Sequence, residues 1–205
     1  MKKNIATIYI FDNTLLFFNE KKDSIREYQL SSNTVEYGLV VNIKRFVTEF
    51  QTILKNENMT KSLFGFQLNL IIPPHFKEIH KFIWKEISEL CSIKKIRYIK
   101  ESTLYKKEKN TLTINISEQY LILIYQDKNK KQEYRIISKK LFQNDMNQIM
   151  KHISKNYIKN QKVYTLGKTN AEITSLIDKH KPKMNLYYEN PKYHLLFRYK
   201  KLHKM

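Results

Sequence analysis

NIATIYIFDNTLLFFNE (residues 4–20) has a counterpart later in the chain, TLTINISEQYLILIYQ (residues 111–126). Each is two β-rich runs around a short polar break, Asp12-Asn13 in the first and Ser117-Glu118 in the second. Asp-Asn is turn chemistry, so a hairpin is expected there. The segments after each pair repeat as well. After the first come a third alternating run, SIREYQLS (24–31), a helix over 42–56, the strand FQLNLII (66–72), a helix over 75–91 and the strand KIRYI (95–99). After the second come EYRIIS (133–138), a helix over 140–158, the strand KVYTLG (162–167), a helix over 170–180 and the strand MNLYY (184–188). Asn190-Pro191 then opens a last helix, because Asn caps well and Pro fits a first turn. A β-β-β-α-β-α-β unit is therefore written twice, over 4–100 and 110–187.

The helices are read from their apolar stripes. Ile43, Phe46, Val47, Phe50, Ile53 and Leu54 recur at helical spacing behind Asn42, a good N-cap. Phe76, Ile79, Ile83, Ile87 and Leu90 form the stripe of the second helix, with Trp84 beside it as a core or interface residue. Leu141, Phe142, Met146, Ile149, Met150, Ile153 and Tyr157 do the same over 140–158. Strands joined by crossover helices imply right-handed β-α-β units and sheets covered on both faces, which the apolar run QYLILIY suits. No Gly/Ser/Pro linker parts the copies; KESTLYKKEKN (100–110) is the plausible joint, giving domains 1–101 and 102–205.

Of the 205 residues, 41% are apolar, enough for a sizeable core. Lys+Arg number 38 and Asp+Glu 19, a net charge of +19. That charge attracts anionic surfaces: nucleic acid, lipid headgroups or an acidic protein. The lysines are spread along the chain and accompany many Ile and Asn, the mark of an AT-rich genome, so composition is favoured over a dedicated nucleic-acid site. The single cysteine, Cys91, excludes an internal disulfide and reads as a buried thiol in a reducing compartment. No apolar run approaches the ~18–20 residues needed to span a bilayer, and the N-terminus is not a convincing signal peptide. The expected location is the cytoplasm, with peripheral attachment to the inner face of the cell membrane as an option.

Several segments resemble the bacterial actin family, above all the rod-shape-determining MreB type. Asp12-Asn13-Thr14-Leu15-Leu16 stands at the first phosphate hairpin, Tyr37-Gly38-Leu39-Val40-Val41-Asn42 before the next helix, and Asn69-Leu70-Ile71-Ile72-Pro73 at a strand ending in Val-Pro. Ile96-Arg97-Tyr98-Ile99-Lys100-Glu101 resembles the Ile-Glu-Glu segment, Thr113-Ile114-Asn115-Ile116-Ser117 the second phosphate hairpin, and Thr165-Leu166-Gly167-Lys168 the adenosine turn. The resemblance implies a tandem duplicated actin-like (ribonuclease H-like) α/β core. The family's members are longer. The short links after Leu30 and after Ile158 leave no room for its small outer subdomains.

The resemblance places a nucleotide on Asp12, Asn13, Thr14, Asn115, Ser117 and Gly167, but those turns are eroded. The chain holds three glycines, Gly38, Gly65 and Gly167, where phosphate turns need glycine for close backbone approach. Asn13 replaces a glycine, Asn115 replaces the metal-water Asp, and Glu118 sets a carboxylate where phosphates would lie. No bound cofactor is therefore expected, ATP with Mg being the alternative. The expected role is a degenerate actin-like scaffold in cell shape or division, without ATP hydrolysis. Its expected partners are a larger actin-like homologue, membrane-associated morphogenesis or division proteins, or an anionic membrane surface. The other readings are an actin-like ATPase, a cytoplasmic adaptor of a pilus or secretion machine, and a basic nucleic-acid-binding protein.

Other chemistry finds no pattern. His75, His80, His152, His180, His194 and His203 form no i,i+4 pair and read as helix residues. There is no P-loop and no G-x-S-x-G. The basic-aromatic tail YHLLFRYKKLHK (193–204) reads as a docked C-terminal segment, with an amphipathic lipid- or partner-binding surface as its alternative.

Overall fold

A computed structural model gives the structure, which describes residues 4–60, 65–101, 111–116, 120–126, 132–138, 162–167, 185–188 and Tyr199. Its first part runs β1 (Ile5–Phe11), β2 (Thr14–Asn19), β3 (Ser24–Gln29), β4 (Val35–Glu36), β5 (Leu39–Val40), α1 (Ile43–Asn56), β6 (Phe66–Ile72), α2 (Glu78–Leu90) and β7 (Ile93–Lys100). Its second part holds β8 (Thr111–Ile116), β9 (Tyr120–Gln126), β10 (Gln132–Ser138), β11 (Lys162–Gly167) and β12 (Asn185–Tyr188). The helices expected over 140–158, 170–180 and beyond Asn190 lie outside the described residues.

The strands form two five-stranded sheets of one plan. The first has the order β3-β2-β1-β6-β7 and the second β10-β9-β8-β11-β12. In each, the first three strands are antiparallel neighbours and the last two run parallel to the first. The duplication expected from sequence is present strand for strand.

The chain divides into two units, Met1–Thr103 with Leu196–Met205, and Leu104–Leu195. The expected division at 101/102 puts the last residues in the second unit; in the structure they go with the first. A hydrogen bond explains the difference: Asn69 Nδ2 of β6 donates to the hydroxyl of Tyr199 at 2.5 Å, with both residues buried.

In the first unit, α1 and α2 cover one face of the sheet. Alternation directs Ala6, Ile8 and Ile10 of β1 and Leu68, Leu70 and Ile72 of β6 to that face, where they meet Phe46, Phe50, Trp84 and Ile87. Trp84 stands edge-on to Phe46 and Phe50, so it is a core residue. Each such large side chain contributes roughly 1.5–3 kcal/mol by full burial. The opposite face is buried too, but it carries polar groups among the apolar ones: Thr7, Tyr9, Phe11, Leu16, Phe18, Asn69 and Ile71. In the second unit the consecutive residues Leu123 and Ile124 of β9 are both buried, so both faces are covered there. On the edge strand β10, Ile137 is buried while Ile136 is exposed.

Helix α1 begins where expected. The Asn42 side chain accepts from the Arg45 N–H (3.0 Å) and caps it. Helix α2 starts later than expected, at Glu78 rather than residue 75. Pro73 and Pro74 lack N–H groups, Phe76 N–H turns back to the Pro73 carbonyl (3.1 Å), and the Lys77 N–H donates to His80 Nδ1 (2.7 Å) as the helix opens. The link after β3 is short, and it forms a small hairpin that the sequence pattern does not announce. Tyr37 (φ 53°) and Gly38 (φ 74°) both take left-handed backbone, the geometry of a tight primed turn between β4 and β5.

Candidate functional site

Ligands of open α/β sheets bind beyond the carboxyl ends of the parallel strands. In the first unit those ends belong to β1, β6 and β7. Beyond β1 lies the Asp12-Asn13 turn, beyond β6 Pro73-Pro74-His75, and beyond β7 Glu101, whose side chain is fully buried. The register sets these on one edge of the sheet: Tyr9 pairs with Ile71, and Ile72 with Lys100.

The Asp12-Asn13 turn is as short as a hairpin allows, with Phe11 paired to Thr14. Asp12 takes left-handed backbone (φ 50°), a conformation that favours glycine and tolerates Asp. The acceptors of the turn are engaged by the end of β3. The Asn13 carbonyl accepts from the Leu30 N–H (2.7 Å) and from Gln29 Nε2 (3.0 Å), and the Thr14 hydroxyl donates to Gln29 Oε1 (3.3 Å). In the second unit, Asn115 is paired with Leu166, and Ile116 with Gly167, so the expected phosphate strand and adenosine strand are neighbours ending at one edge. Ser117 lies outside the described residues.

No protein-family model and no curated protein matches this sequence. Solved structures do match. The chain is similar to MreB5 of Spiroplasma citri, solved bound to ADP, at 8% identity over 99% of this chain and 97% of that one, with a TM-score of 0.63. It is similar to the MamK double helical filament at 6% identity over 98% and 99%, with a TM-score of 0.64. A Bacteroides thetaiotaomicron protein of actin-like ATPase fold matches at 8% identity over 95% of both chains, with a TM-score of 0.60. The fold is that of the actin-like ATPases.

Two polar clusters of this actin-like chain have no counterpart among the residues expected from sequence. The first is built on Glu57, which follows α1 and is 1% exposed. The Tyr28 hydroxyl donates to it at 2.6 Å, Lys22 Nζ lies at 3.1 Å and Arg26 Nε at 3.4 Å, and Asn19 Nδ2 donates to its backbone and side chain. Burial alone would push this carboxyl up. The hydrogen bonds from Tyr28 and Lys22 and the charges of Lys22 and Arg26 outweigh it and hold the carboxyl below its ordinary range. Tyr28 is pushed up to about 12, by burial and by the same carboxylate. The cluster pins the end of α1 to the β2–β3 hairpin, a structural task. A C-terminal cap of helix by Glu is not a sequence signal, and its cationic partners lie on another element.

The second cluster lies on the polar face of the first sheet. Asn69 Nδ2 reaches Thr7 Oγ1 and Glu20 Oε1, both at 3.3 Å, besides Tyr199. It ties Tyr199 to β6.

His75, expected in a helix, stands before one. Its Nε2 donates to the Tyr37 carbonyl (2.7 Å), joining the end of β6 to the β4–β5 turn. Burial lowers its pKa, the Tyr37 hydrogen bond opposes this, and His80 adds to the lowering. Cys91 is buried, as expected, and burial pushes its thiol up to about 11, which leaves it protonated and unreactive at neutral pH. Among the described residues, no group of three or more His, Cys, Asp or Glu could hold a metal ion, and no helix is long and apolar enough to cross a membrane.

Proposed function

We propose that this chain is a non-hydrolysing actin-like scaffold protein, an accessory of a cytoskeletal assembly in cell shape or division rather than an ATPase. The observation that carries the reading is the Asp12-Asn13 turn. A phosphate cradle needs several backbone N–H groups converging on open space. A two-residue turn closed by the Phe11–Thr14 pair has little room for one, and the Thr14 hydroxyl proton is already given to Gln29. The residues fit a nucleoside triphosphate poorly, and Glu118 in the second turn adds a like charge. Support for the cytoskeletal side is the filament form of one matched structure. The natural partners are a larger actin-like homologue or a membrane-associated morphogenesis protein, in the cytoplasm at the inner face of the membrane.

Calorimetric titration of the full chain with Mg-ATP tests the first half of the reading. Heat of binding at the level of noise to near-millimolar nucleotide is expected. Micromolar affinity, about −8 kcal/mol, would return the chain to the ATPases. Pelleting and electron microscopy, with and without ATP, test the second half. Ordered filaments of this chain alone that require ATP would defeat the accessory role.

A further inference from the structure

Helix α2 turns an apolar seam to solvent. Trp84 and Ile87 hold it to the core, yet Ile79 is 60%, Phe82 68% and Leu90 51% exposed. Phe82 and Glu86 are four residues apart, as are Glu86 and Leu90, and Ile79 lies one turn before Phe82; these four share one side of the helix. At its amino end the seam runs into a groove of about 360 Å³ between α2 and the β4–β5 hairpin. Val40, Val41 (54% exposed), Ile43, Ile79 and Ile83 line the groove.

The charge around this face is opposite to that of the molecule. The groove lining holds one carboxylate, Glu36, and no lysine or arginine, in a chain with 38 basic residues. Glu86 and Glu89 are exposed along the seam. Lys81 is paired with Glu78 at 2.6 Å; among the described residues Lys85 flanks the seam on α2, and Lys55 lines a pocket with Leu90 at its carboxyl end. Anionic lipid is disfavoured by three carboxylates at an inserting face. Two copies of α2 crossing antiparallel at the middle of the seam would bring Glu86 of one beside Glu86 of the other, like against like. An apolar segment carrying positive charge satisfies both the seam and its rim.

We propose that the α2 seam and the adjoining β4–β5 groove dock a basic amphipathic helix of a partner protein. Apolar side chains of that helix seat on Ile79, Phe82 and Val41, and its lysines or arginines meet Glu36, Glu86 and Glu89. This names the chemistry of the scaffold's partner, and it holds or fails whether or not the chain binds nucleotide.

The test uses the full chain and two fluorescein-labelled amphipathic helical peptides with the same leucine face, one with lysines and one with glutamates on the polar face. Overall charge works against the expected result, since the +19 chain repels the lysine peptide and attracts the glutamate one. Fluorescence anisotropy is expected to show the lysine peptide binding, weakened at least about tenfold by Ile79→Gln with Phe82→Gln and similarly by Glu86→Lys with Glu89→Lys. All four side chains are exposed, so both variants should keep the wild-type melting temperature. The charge reversal keeps the test decisive if the apolar pair fails to fold. Absence of lysine-peptide binding, or binding indifferent to both variants, overturns the proposal. So does glutamate-peptide binding that the apolar variant abolishes. Sedimentation showing self-association lost in Ile79→Gln with Phe82→Gln would give the face to a second copy, and phosphatidylglycerol-vesicle binding lost in that variant would give it to lipid. Either result overturns the proposal.

Discussion

In the first unit β1 turns into β2 on two residues, Asp12 and Asn13. In the second, four residues part Ile116 from its partner Leu121. The sheets around those turns have the same strand order and the same directions. Strand order rests on many apolar side chains and on the handedness of the crossovers, so single substitutions hardly alter it. A turn rests on one or two residues and can change length while the sheet stands. In an actin-like fold the turns are where the chemistry would be, so the frame persists while the site is free to diverge. Charge divides the halves as well: residues 1–101 hold 16 Lys+Arg against 11 Asp+Glu, and residues 102–205 hold 22 against 8.

The largest expected effect separates the two units. Phe50 is fully buried, stacked on Phe46 and edge-on to Trp84. Phe50→Ala should cost about 3–5 kcal/mol. If the units are separate cooperative bodies, hydrogen exchange in that variant will lose protection in β1 and β6 and keep it in β8 and β11. Equal loss in both sheets would mean that they melt as one body and that the comparison is one of shape alone.

Next in size is a glycine that no phosphate turn requires. Gly65 enters β6 with φ 67°, and a Cβ there would stand 2.7 Å from the Ser92 carbonyl oxygen. Gly65→Ala should destabilise the first unit by about 2–3 kcal/mol, through left-handed strain and the backbone shift it forces. A variant as stable as the parent in denaturant melts would remove the steric account of why this glycine stays in a chain with three.

Acid should weaken the first unit by two groups whose signs agree. His75 has its pKa lowered in the fold, so its contribution is present above the ordinary 6.5 and is lost as pH falls below it. Glu57 also has its pKa lowered; its contribution is present above 4.5 and is lost as pH falls on through the folded value. Glu57→Ala should cost about 2 kcal/mol at neutral pH, less than a fully buried ion pair because Lys22 and Arg26 can return to water. Melting temperature against pH should then be flatter below pH 4.5 in the variant. An unchanged acid limb would assign the acid sensitivity elsewhere.

How much of the fold and the site is legible in the sequence depends on what each feature rests on. The β1–β2 hairpin, α1 with its Asn42 cap and β6 follow from local patterns that the tertiary structure does not override. The β4–β5 hairpin is illegible because its strands are two residues each and its turn places Tyr37 in left-handed backbone, where Asn or Gly would have advertised it. The stripe on α2 has the pattern of a core face, yet Ile79 and Leu90 of it face solvent. Periodicity shows that a helix has an apolar side and is silent on whether this chain or another covers it. At the turns the sequence shows which residues stand there, but the hold of β3 on Asn13 and Thr14 needs coordinates. The Glu57 cluster joins residues far apart in the chain, and no local pattern announces it.

The smallest expected effect concerns the terminal segment, the feature that makes the first unit more than a copy of the second. Asn69 is buried in the middle of a sheet face and has three side-chain partners for its amide, Tyr199, Thr7 and Glu20. Burial raises the Tyr199 pKa, so the hydroxyl stays protonated at neutral pH and can both accept from Asn69 and donate onward. Tyr199→Phe removes one partner and keeps the ring. The amide retains Thr7 and Glu20, so the cost should be near the net worth of one hydrogen bond, about 1 kcal/mol, rather than the larger penalty of an orphaned buried amide. Tyr199→Ala also removes the ring and should cost more, with earlier proteolytic cleavage near the C-terminus. If Tyr199→Phe melts like the parent while Tyr199→Ala does not, packing alone holds the segment to the first sheet. If both melt like the parent, the segment is not part of the first unit, and the two halves are closer to plain copies than the placement of Leu196–Met205 implies.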